Sequence, residues 1–227
     1  MDAVKGLCIA LRMDDEEIQQ DACWGLQYAA DVEGDNQEQH QRFSAIAQSK
    51  AMHQLVHLLD HKSRHLVHPA VRALGSLLTG TNDEAEYLVD TCGVLGGLGR
   101  LLTPHSSYEV RREVCWTISN ITAGSEGLIR AVMTANLFQP LIHILKNDRE
   151  GTAKEALWAL ANAINSGSDE VVAFLVQQGV IWPLFKFMKI ESSVAVLNVS
   201  LEAISNVLAA GKRQSGQEPR RCPPSGE

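Results

Sequence analysis

The sequence predicts an all-α fold, a right-handed α-solenoid built from about five helical repeats. Three observations support this prediction. A similar block of residues recurs at intervals of 42 to 48 residues, apolar side chains within the blocks recur three and four positions apart, and no segment alternates between apolar and polar residues. A repeat of this length is one packing unit, which buries its apolar face only against its neighbours.

The recurring block is predicted to be a helix with one characteristic residue at its centre. Alignment of the five blocks brings into register Trp24, Arg72, Trp116, Trp158 and Glu202. Glycine-containing breaks follow three of the blocks, at Gly80, Gly124 and Gly167. Because glycine is tolerated where a helix ends, each block is expected to stop at its break.

A second apolar helix is predicted after each of the first four blocks. Its residues form a one-sided apolar stripe in segments 52–59, 95–102, 138–145 and 181–188. Pro140 and Pro183 fall near the expected helix starts, where a missing N–H has little effect. These helix pairs or triplets are predicted to form one domain over residues 1–211. Residues 212–227 lack apolar periodicity and are predicted to be a disordered tail.

Composition and charge narrow the choice of partner. The 227 residues are 45% hydrophobic, and residues 1–211 carry 16 basic and 25 acidic side chains. An acidic body repels phosphate backbones and attracts basic peptides, so we expect no nucleic-acid partner. No apolar run approaches the roughly 20 residues of a membrane helix, and we expect a soluble intracellular protein. The cysteines are then expected to be reduced thiols, most of them buried, at Cys8, Cys23, Cys92, Cys115 and Cys222.

Two blocks share a Trp–Asn pair. Trp116 with Asn120, and Trp158 with Asn162, lie four residues apart and therefore on one helix face. Stacked repeats align such pairs into a ladder. Trp is often simply a core residue, but a core position does not favour an Asn one turn later on the same face. Parallel indole faces form slots for Lys and Arg stems, and an Asn amide can bind an extended peptide backbone.

The same segments resemble the importin-α (karyopherin-α) family, whose armadillo repeats bind nuclear localisation signals. The resemblance is carried by RREVCWTISNITAG at 111–124, DACWGLQYAAD at 21–31, VRALGSLLTG at 71–80 and EALWALANAINSG at 155–167. It covers roughly residues 1–211 and corresponds to the central and carboxyl-terminal repeats of the family. The replacement of Trp by Arg in one repeat, here Arg72, is also a family feature.

The resemblance implies that basic signal peptides bind at the family's minor site. The implied residues are Arg72, Thr79, Gly80, Glu113, Trp116, Ser119, Asn120, Glu155, Trp158 and Asn162, with Trp24 and Tyr28 on the adjoining groove. Glu113 and Glu155 are expected to supply negative charge at the groove edge. Ser76 stands where the family usually has Asn.

The resemblance also carries expectations about transport. The three Trp–Asn repeats of the family's main site and its Arg-rich importin-β-binding segment have no counterpart here, as in a truncated form. Binding of importin-β is expected only when such a segment is supplied. We expect a location in cytoplasm and nucleus, and self-association through exposed terminal repeats is a further expectation.

Other functions are weighed against this one. His53 and His57 are spaced as a zinc pair, but His61, His65 and His68 are expected in a loop, so no metal site is predicted. No GxSxG, P-loop, GxGxxG or HExxH motif is present, and we predict no enzyme, no catalytic residue and no cofactor. The alternative is an armadillo scaffold for other protein partners. Such a scaffold would bind an acidic partner through Lys and Arg along its groove.

Overall fold

A computed structural model describes residues 2–31, 36–189 and 193–217, and these form fourteen α-helices with no strand among them. The helices are α1 Asp2–Ala10, α2 Glu16–Asp31, α3 Asn36–Gln48, α4 Ala51–Leu58, α5 Arg64–Leu77, α6 Asn82–Glu86, α7 Val94–Leu101, α8 Tyr108–Thr122, α9 Glu126–Thr134, α10 Phe138–Asn147, α11 Glu150–Ser166, α12 Asp169–Gln177, α13 Ile181–Phe185 and α14 Val194–Gln217. A π-helical turn, Tyr87–Thr91, extends α6. The predicted all-α solenoid is confirmed.

Short polar side chains start several of these helices. Thr81 accepts a hydrogen bond from the Glu84 N–H, and the Glu84 carboxylate accepts one from the Thr81 N–H, which forms a capping box before α6. Ser107 and Ser125 accept from the third N–H of α8 and α9 in the same way. These caps satisfy backbone donors that the helix leaves without partners.

The repeat contains three helices, and the third is the one that carries the recurring block. The third helices are α2, α5, α8, α11 and α14, and each packs against the third helix of the next repeat. The predicted second helices correspond to α4, α7, α10 and α13. One continuous apolar core runs from Val4 to Ala210. Neighbouring repeats therefore bury each other's apolar faces, as the sequence period requires.

The last helix extends beyond the predicted end of the domain. Helix α14 includes residues 212–217, which the sequence analysis assigned to a disordered tail. Arg213 forms an ion pair with Asp169 at 2.6 Å, and the Gln214 amide donates to the Asp169 carbonyl oxygen. These contacts with α12 stabilise residues 212–217 as helix, and the apolar periodicity of the sequence does not reveal them. The rest of the predicted tail, 218–227, lies outside the described residues.

Helix α14 is also the one described helix long and apolar enough to cross a membrane, over Val194–Gly216. The expectation that no apolar run approaches the length of a membrane helix is therefore wrong for this segment. Val196, Val199 and Ala203 are buried on the side that packs against α11, α12 and α13. A second apolar stripe on α14 is solvent-exposed and includes Leu201 and Leu208. The high mean hydropathy of α14 therefore comes from two apolar faces, of which one is packed against the solenoid.

The cysteine prediction is confirmed for four residues. Cys8, Cys23, Cys92 and Cys115 are buried free thiols. Burial raises the pKa of Cys23 to about 12 and raises the pKa of Cys115 further, because the thiolate loses its hydration. These groups are unreactive core residues at neutral pH. Cys222 lies outside the described residues.

Candidate functional site

The predicted ladder residues lie on consecutive third helices. Arg72 on α5, Trp116 on α8 and Trp158 on α11 occupy equivalent positions, and each is partly exposed. Trp158 also packs against the apolar core. Because α5, α8 and α11 pack side by side, the structure brings these residues into one row. Each Trp is thus supported on one side and accessible to solvent on another.

Arg72 is bound within the row itself. Its guanidinium lies 4.0 Å from the ring centroid of Trp116, and its Nη1 donates to the Glu113 carboxylate at 3.0 Å. This pairs a cation with both an indole face and a carboxylate. One face of Trp116 is therefore occupied by the protein's own Arg. Another cation can stack on Trp116 only on its opposite face.

The two predicted acidic residues have different environments. Glu113 is 6% exposed and is paired with Arg72 and Arg112, with His68 at 4.0 Å. It is therefore already neutralised, although the sequence analysis expected it to attract a ligand. Glu155 is half-buried, and within the described residues it has no hydrogen-bonded or ion-paired partner.

Burial raises the pKa of Glu155, and the negative charge of Glu113 raises it further, while Arg112 and Arg72 partly offset both effects. A half-buried carboxylate with no direct counterion favours the approach of a cation. Glu155 lies one helical turn before Trp158 on α11, so this charge stands beside the accessible indole.

The ladder amides connect neighbouring repeats. Asn120 Nδ2 donates to the Gly75 carbonyl oxygen at 3.0 Å, and Asn162 Nδ2 donates to the Ser119 carbonyl oxygen at 3.0 Å. These two bonds fix the orientation of each amide, since the donor side points to the preceding repeat. The Oδ1 atom of each amide remains a hydrogen-bond acceptor.

Other residues implied by the resemblance contribute differently. The Ser119 hydroxyl is buried and donates to the Trp116 carbonyl oxygen at 2.7 Å, so Ser119 acts through its backbone. Thr79 and Gly80 are exposed in the turn after α5, and the Thr79 hydroxyl donates to the Ser76 carbonyl oxygen. The hydroxyl groups of Ser119 and Thr79 thus have intramolecular partners.

The adjoining groove begins at Trp24 and Tyr28 on α2. Tyr28 is 65% exposed, while the Trp24 indole meets the His68 ring edge-on with ring centroids 5.7 Å apart. His68, like His65, lies on α5 rather than in the loop where the sequence analysis placed it. Within the part of the chain that the structure describes, no three His, Cys, Asp or Glu side chains are grouped to hold a metal ion.

Comparison with known proteins agrees with this geometry. The family model for the armadillo/β-catenin-like repeat matches residues 81–123 and 125–164. Importin subunit alpha-4 of Arabidopsis thaliana is 38% identical over 200 residues, which is 88% of this chain and 36% of that protein. Importin subunit alpha-1b of Oryza sativa subsp. japonica is 35% identical over 212 residues, 93% of this chain and 38% of that protein. The armadillo repeats and the similarity to importin subunits alpha over most of the chain support an importin-α family member.

Solved structures give the same fold. A designed armadillo repeat protein in complex with the peptide (KR)4 is 29% identical to this chain, with a TM-score of 0.80 over 91% of this chain and 82% of that one. A second designed armadillo repeat protein is 26% identical, with a TM-score of 0.80 over 98% and 94% of the two chains. The importin-α and armadillo families are transport and scaffold proteins, not enzymes. The chain spans little more than a third of the length of the curated importin relatives it matches.

Two residues that shape the row were not predicted. Arg112 and His68 converge on Glu113 and share its charge with Arg72. Arg112 precedes Glu113 directly in the sequence, but adjacent helical residues do not share a face, so the pattern gave no signal. His68 precedes Arg72 by four residues, and that spacing is the one signal that places both side chains on the same face of α5.

Gly75 provides a test of the row's packing. A Cβ atom at Gly75 would overlap the six-membered ring of Trp116 and approach the Thr117 hydroxyl, so a larger residue must displace the indole. Gly75→Ala is expected to destabilise the fold by about 1–3 kcal/mol despite the higher helix propensity of Ala. Chemical denaturation with Trp fluorescence measures the change.

Gly6→Ala is the matched control. Gly6 lies within α1 with open space around its Cβ position, so Ala there should stabilise by about 0.5–1 kcal/mol. Equal effects of the two substitutions would show that Trp116 does not pack against Gly75.

Proposed function

We propose that this chain binds basic, Lys/Arg-rich signal peptides of cargo proteins in the row between Trp116 and Trp158, as a nuclear import adaptor-like protein of cytoplasm and nucleus. The observation that carries the proposal is the Glu155 carboxylate, which lies beside Trp158 without a counterion in the described part of the chain. A Lys or Arg stem between the indoles would place its charge near that carboxylate.

The contact between Arg72 and Trp116 supports this chemistry from within the molecule. Its geometry, a guanidinium 4.0 Å from an indole centroid and hydrogen-bonded to Glu113, is the one we propose for a bound basic side chain. In the row, Trp158 with Glu155 repeats the spacing of Trp116 with Glu113, but there the described residues supply no Arg to fill the place. The ligand therefore supplies the missing cation.

The relatives support the same class of ligand. The designed armadillo protein whose fold this chain shares is in complex with the alternating Lys–Arg peptide (KR)4. The curated relatives are named importin subunits alpha. A scaffold that binds acidic partners is less well supported, because the row presents Trp, Asn and Glu155, and Arg72 is already paired with Glu113.

Removal of either accessible indole tests the site. Trp158→Ala and Trp116→Ala should each weaken binding of a fluorescein-labelled Lys-Lys-Ala-Arg peptide about five- to 100-fold, because stem packing and cation–π attraction are both lost. Asn162→Ala should weaken binding as well, since peptide backbone groups lose a partner. Fluorescence anisotropy measures the affinity, with an all-Ala peptide as the ligand control.

Trp182→Ala is the matched protein control, because Trp182 is 83% exposed on α13, outside the row, and should leave affinity unchanged. Unchanged affinity in both row variants, or an equal loss in Trp182→Ala, would contradict the proposed site.

The raised pKa of Glu155 predicts a pH dependence. A bound cation favours the carboxylate form and lowers the pKa of Glu155, so affinity is full above the raised pKa of the free protein and falls as the pH drops through it. Glu155→Gln should remove this part of the pH profile.

Other charged groups face Glu155 from the neighbouring helices, namely Glu113 and Arg112 on α8 and Arg72 on α5. His68 lies 4.0 Å from the Glu113 carboxylate. Their contribution persists in Glu155→Gln, so the difference between the two profiles isolates Glu155. Identical pH profiles of the two proteins would exclude Glu155 from the binding site.

We also propose that the exposed stripe of α14 pairs with the same stripe of a second copy. Its exposed apolar residues recur every seven positions, which is the pattern of a helix-pairing seam: Val194, Leu201 and Leu208. Leu197 and Ile204 lie between them and are part-buried, and Ile204 packs against the core. The exposed flanking residues include Asn198 and Ser205, which are uncharged. Glu202 and Lys212 are also exposed on this helix. A self-complementary apolar stripe fits a two-fold pair of identical helices.

Leu201→Glu is therefore expected to shift the protein towards monomer, because two like charges would meet across the pair. Sedimentation velocity over a range of concentrations measures the association. Ile9→Glu, at an exposed position in α1, is the control and should have no effect. Loss of association in Ile9→Glu instead would indicate head-to-tail contact between opposite ends.

A further inference from the structure

The Asn bonds of the row follow a regular rule. Asn162 donates to the carbonyl of Ser119, which is the residue before Asn120, and Asn120 donates to the carbonyl of Gly75, which is the residue before Ser76. Each amide thus binds the residue that precedes its counterpart in the preceding repeat. Applied once more, the rule pairs position 76 on α5 with the carbonyl oxygen of Gln27, the residue before Tyr28 on α2.

Position 76 does not make this bond. Ser76 is 2% exposed, and its Oγ has no hydrogen-bond partner. A buried hydroxyl without a partner is uncommon, because it loses hydration with no replacement. The serine side chain is shorter than that of Asn by two heavy atoms, so it lacks the amide that continues the row. The regular connection between third helices therefore stops between α5 and α2.

The space for an amide is present at Ser76. A pocket of about 80 Å³ is lined by Ser76, by Thr79 and Gly80 in the turn after α5, by Ala29 and Ala30 of α2, and by side chains of α3. A volume of this size exceeds what one water molecule requires. Two additional heavy atoms at position 76 can therefore be accommodated in the space between α2, α3 and α5.

Asn120 and Asn162 form what we call the peptide-backbone clamp. We propose that Ser76 ends this clamp on the side of the row nearest α2 and so limits recognition to a short peptide. This proposal rests on the proposed function and concerns which part of a basic peptide is recognised. Asn120 and Asn162 hold the backbone, whereas position 76 offers no oriented amide to the residues beyond them. Peptide residues that extend past Trp116 towards α2 contribute little affinity.

Arg72 also disfavours peptide binding towards α2. Its guanidinium covers the face of Trp116 nearest the α2 end of the row and repels a further Lys or Arg placed there. An extension that tests the backbone clamp must therefore be uncharged. Neighbouring packed helices lie about 8–10 Å apart, and an extended residue spans about 3.3 Å, so three residues reach the next repeat.

The experiment compares three fluorescein-labelled peptides, namely Lys-Lys-Ala-Arg alone and the same core extended by Ala-Gly-Ala at its amino or its carboxyl end. The wild-type protein should bind all three within about twofold. Ser76→Asn should bind one of the two extended peptides about three- to tenfold more tightly than the wild type does, because one further amide binds the backbone. The core peptide should be unaffected by this substitution.

Two further variants serve as controls. Ser76→Ala removes the unpartnered hydroxyl without adding an amide, and should leave all three affinities unchanged. Asn120→Ser makes the reciprocal change at a position where the amide is present, and should weaken binding of the core peptide about three- to tenfold. It provides a test even if Ser76→Asn fails to fold, as would be seen by circular dichroism.

The outcomes separate this proposal from the proposed function. If the wild type already binds an extended peptide severalfold more tightly, or if folded Ser76→Asn shows no preference for either extension, Ser76 does not end the clamp. An unchanged affinity in Asn120→Ser also overturns the proposal. Trp158→Ala is measured in parallel. If it loses binding, the proposed peptide site is still supported, even when one of these results overturns the role of Ser76.

Discussion

The packing of each third helix against the third helix of the next repeat is the constraint on which the site depends. It aligns equivalent positions of α5, α8 and α11 into a row, so a residue type repeated in the sequence becomes a repeated group in space. No single repeat could supply both Trp116 and Trp158. The row exists because an isolated repeat cannot bury its apolar face, and stacking is the way in which the chain buries it.

Within this row the binding groups have unequal roles. Arg72 occupies one face of Trp116 and, with Arg112, neutralises Glu113, so that half of the row is internally satisfied. At Trp158 the described residues supply no corresponding cation, and Glu155 keeps a raised pKa. The carboxylate beside Trp116 is therefore paired with a cation of the protein, whereas the carboxylate beside Trp158 is not. In the proposed function, a basic ligand binds where the protein leaves its own charge unpaired.

Much of this arrangement could be predicted from the sequence. The 42- to 48-residue interval and the Trp–Asn spacing within a helix are local patterns, and they gave the solenoid and the row. The state of Glu113 could not be predicted, because its partners Arg72 and His68 lie on another helix and its burial depends on stacking. The helical state of residues 212–217 depends similarly on Asp169 of α12, a contact that apolar periodicity does not encode.

We propose above that a basic side chain of the ligand pairs with the Glu155 carboxylate. A double-mutant cycle tests it most directly, with Glu155→Gln in the protein and replacement of each peptide Lys or Arg by norleucine, using calorimetric affinities. We predict that one peptide position couples to Glu155 by about 1 kcal/mol or more, within the usual range for residues in contact. Coupling below about 0.3 kcal/mol at every basic position, the level found for independent sites, would contradict the claim.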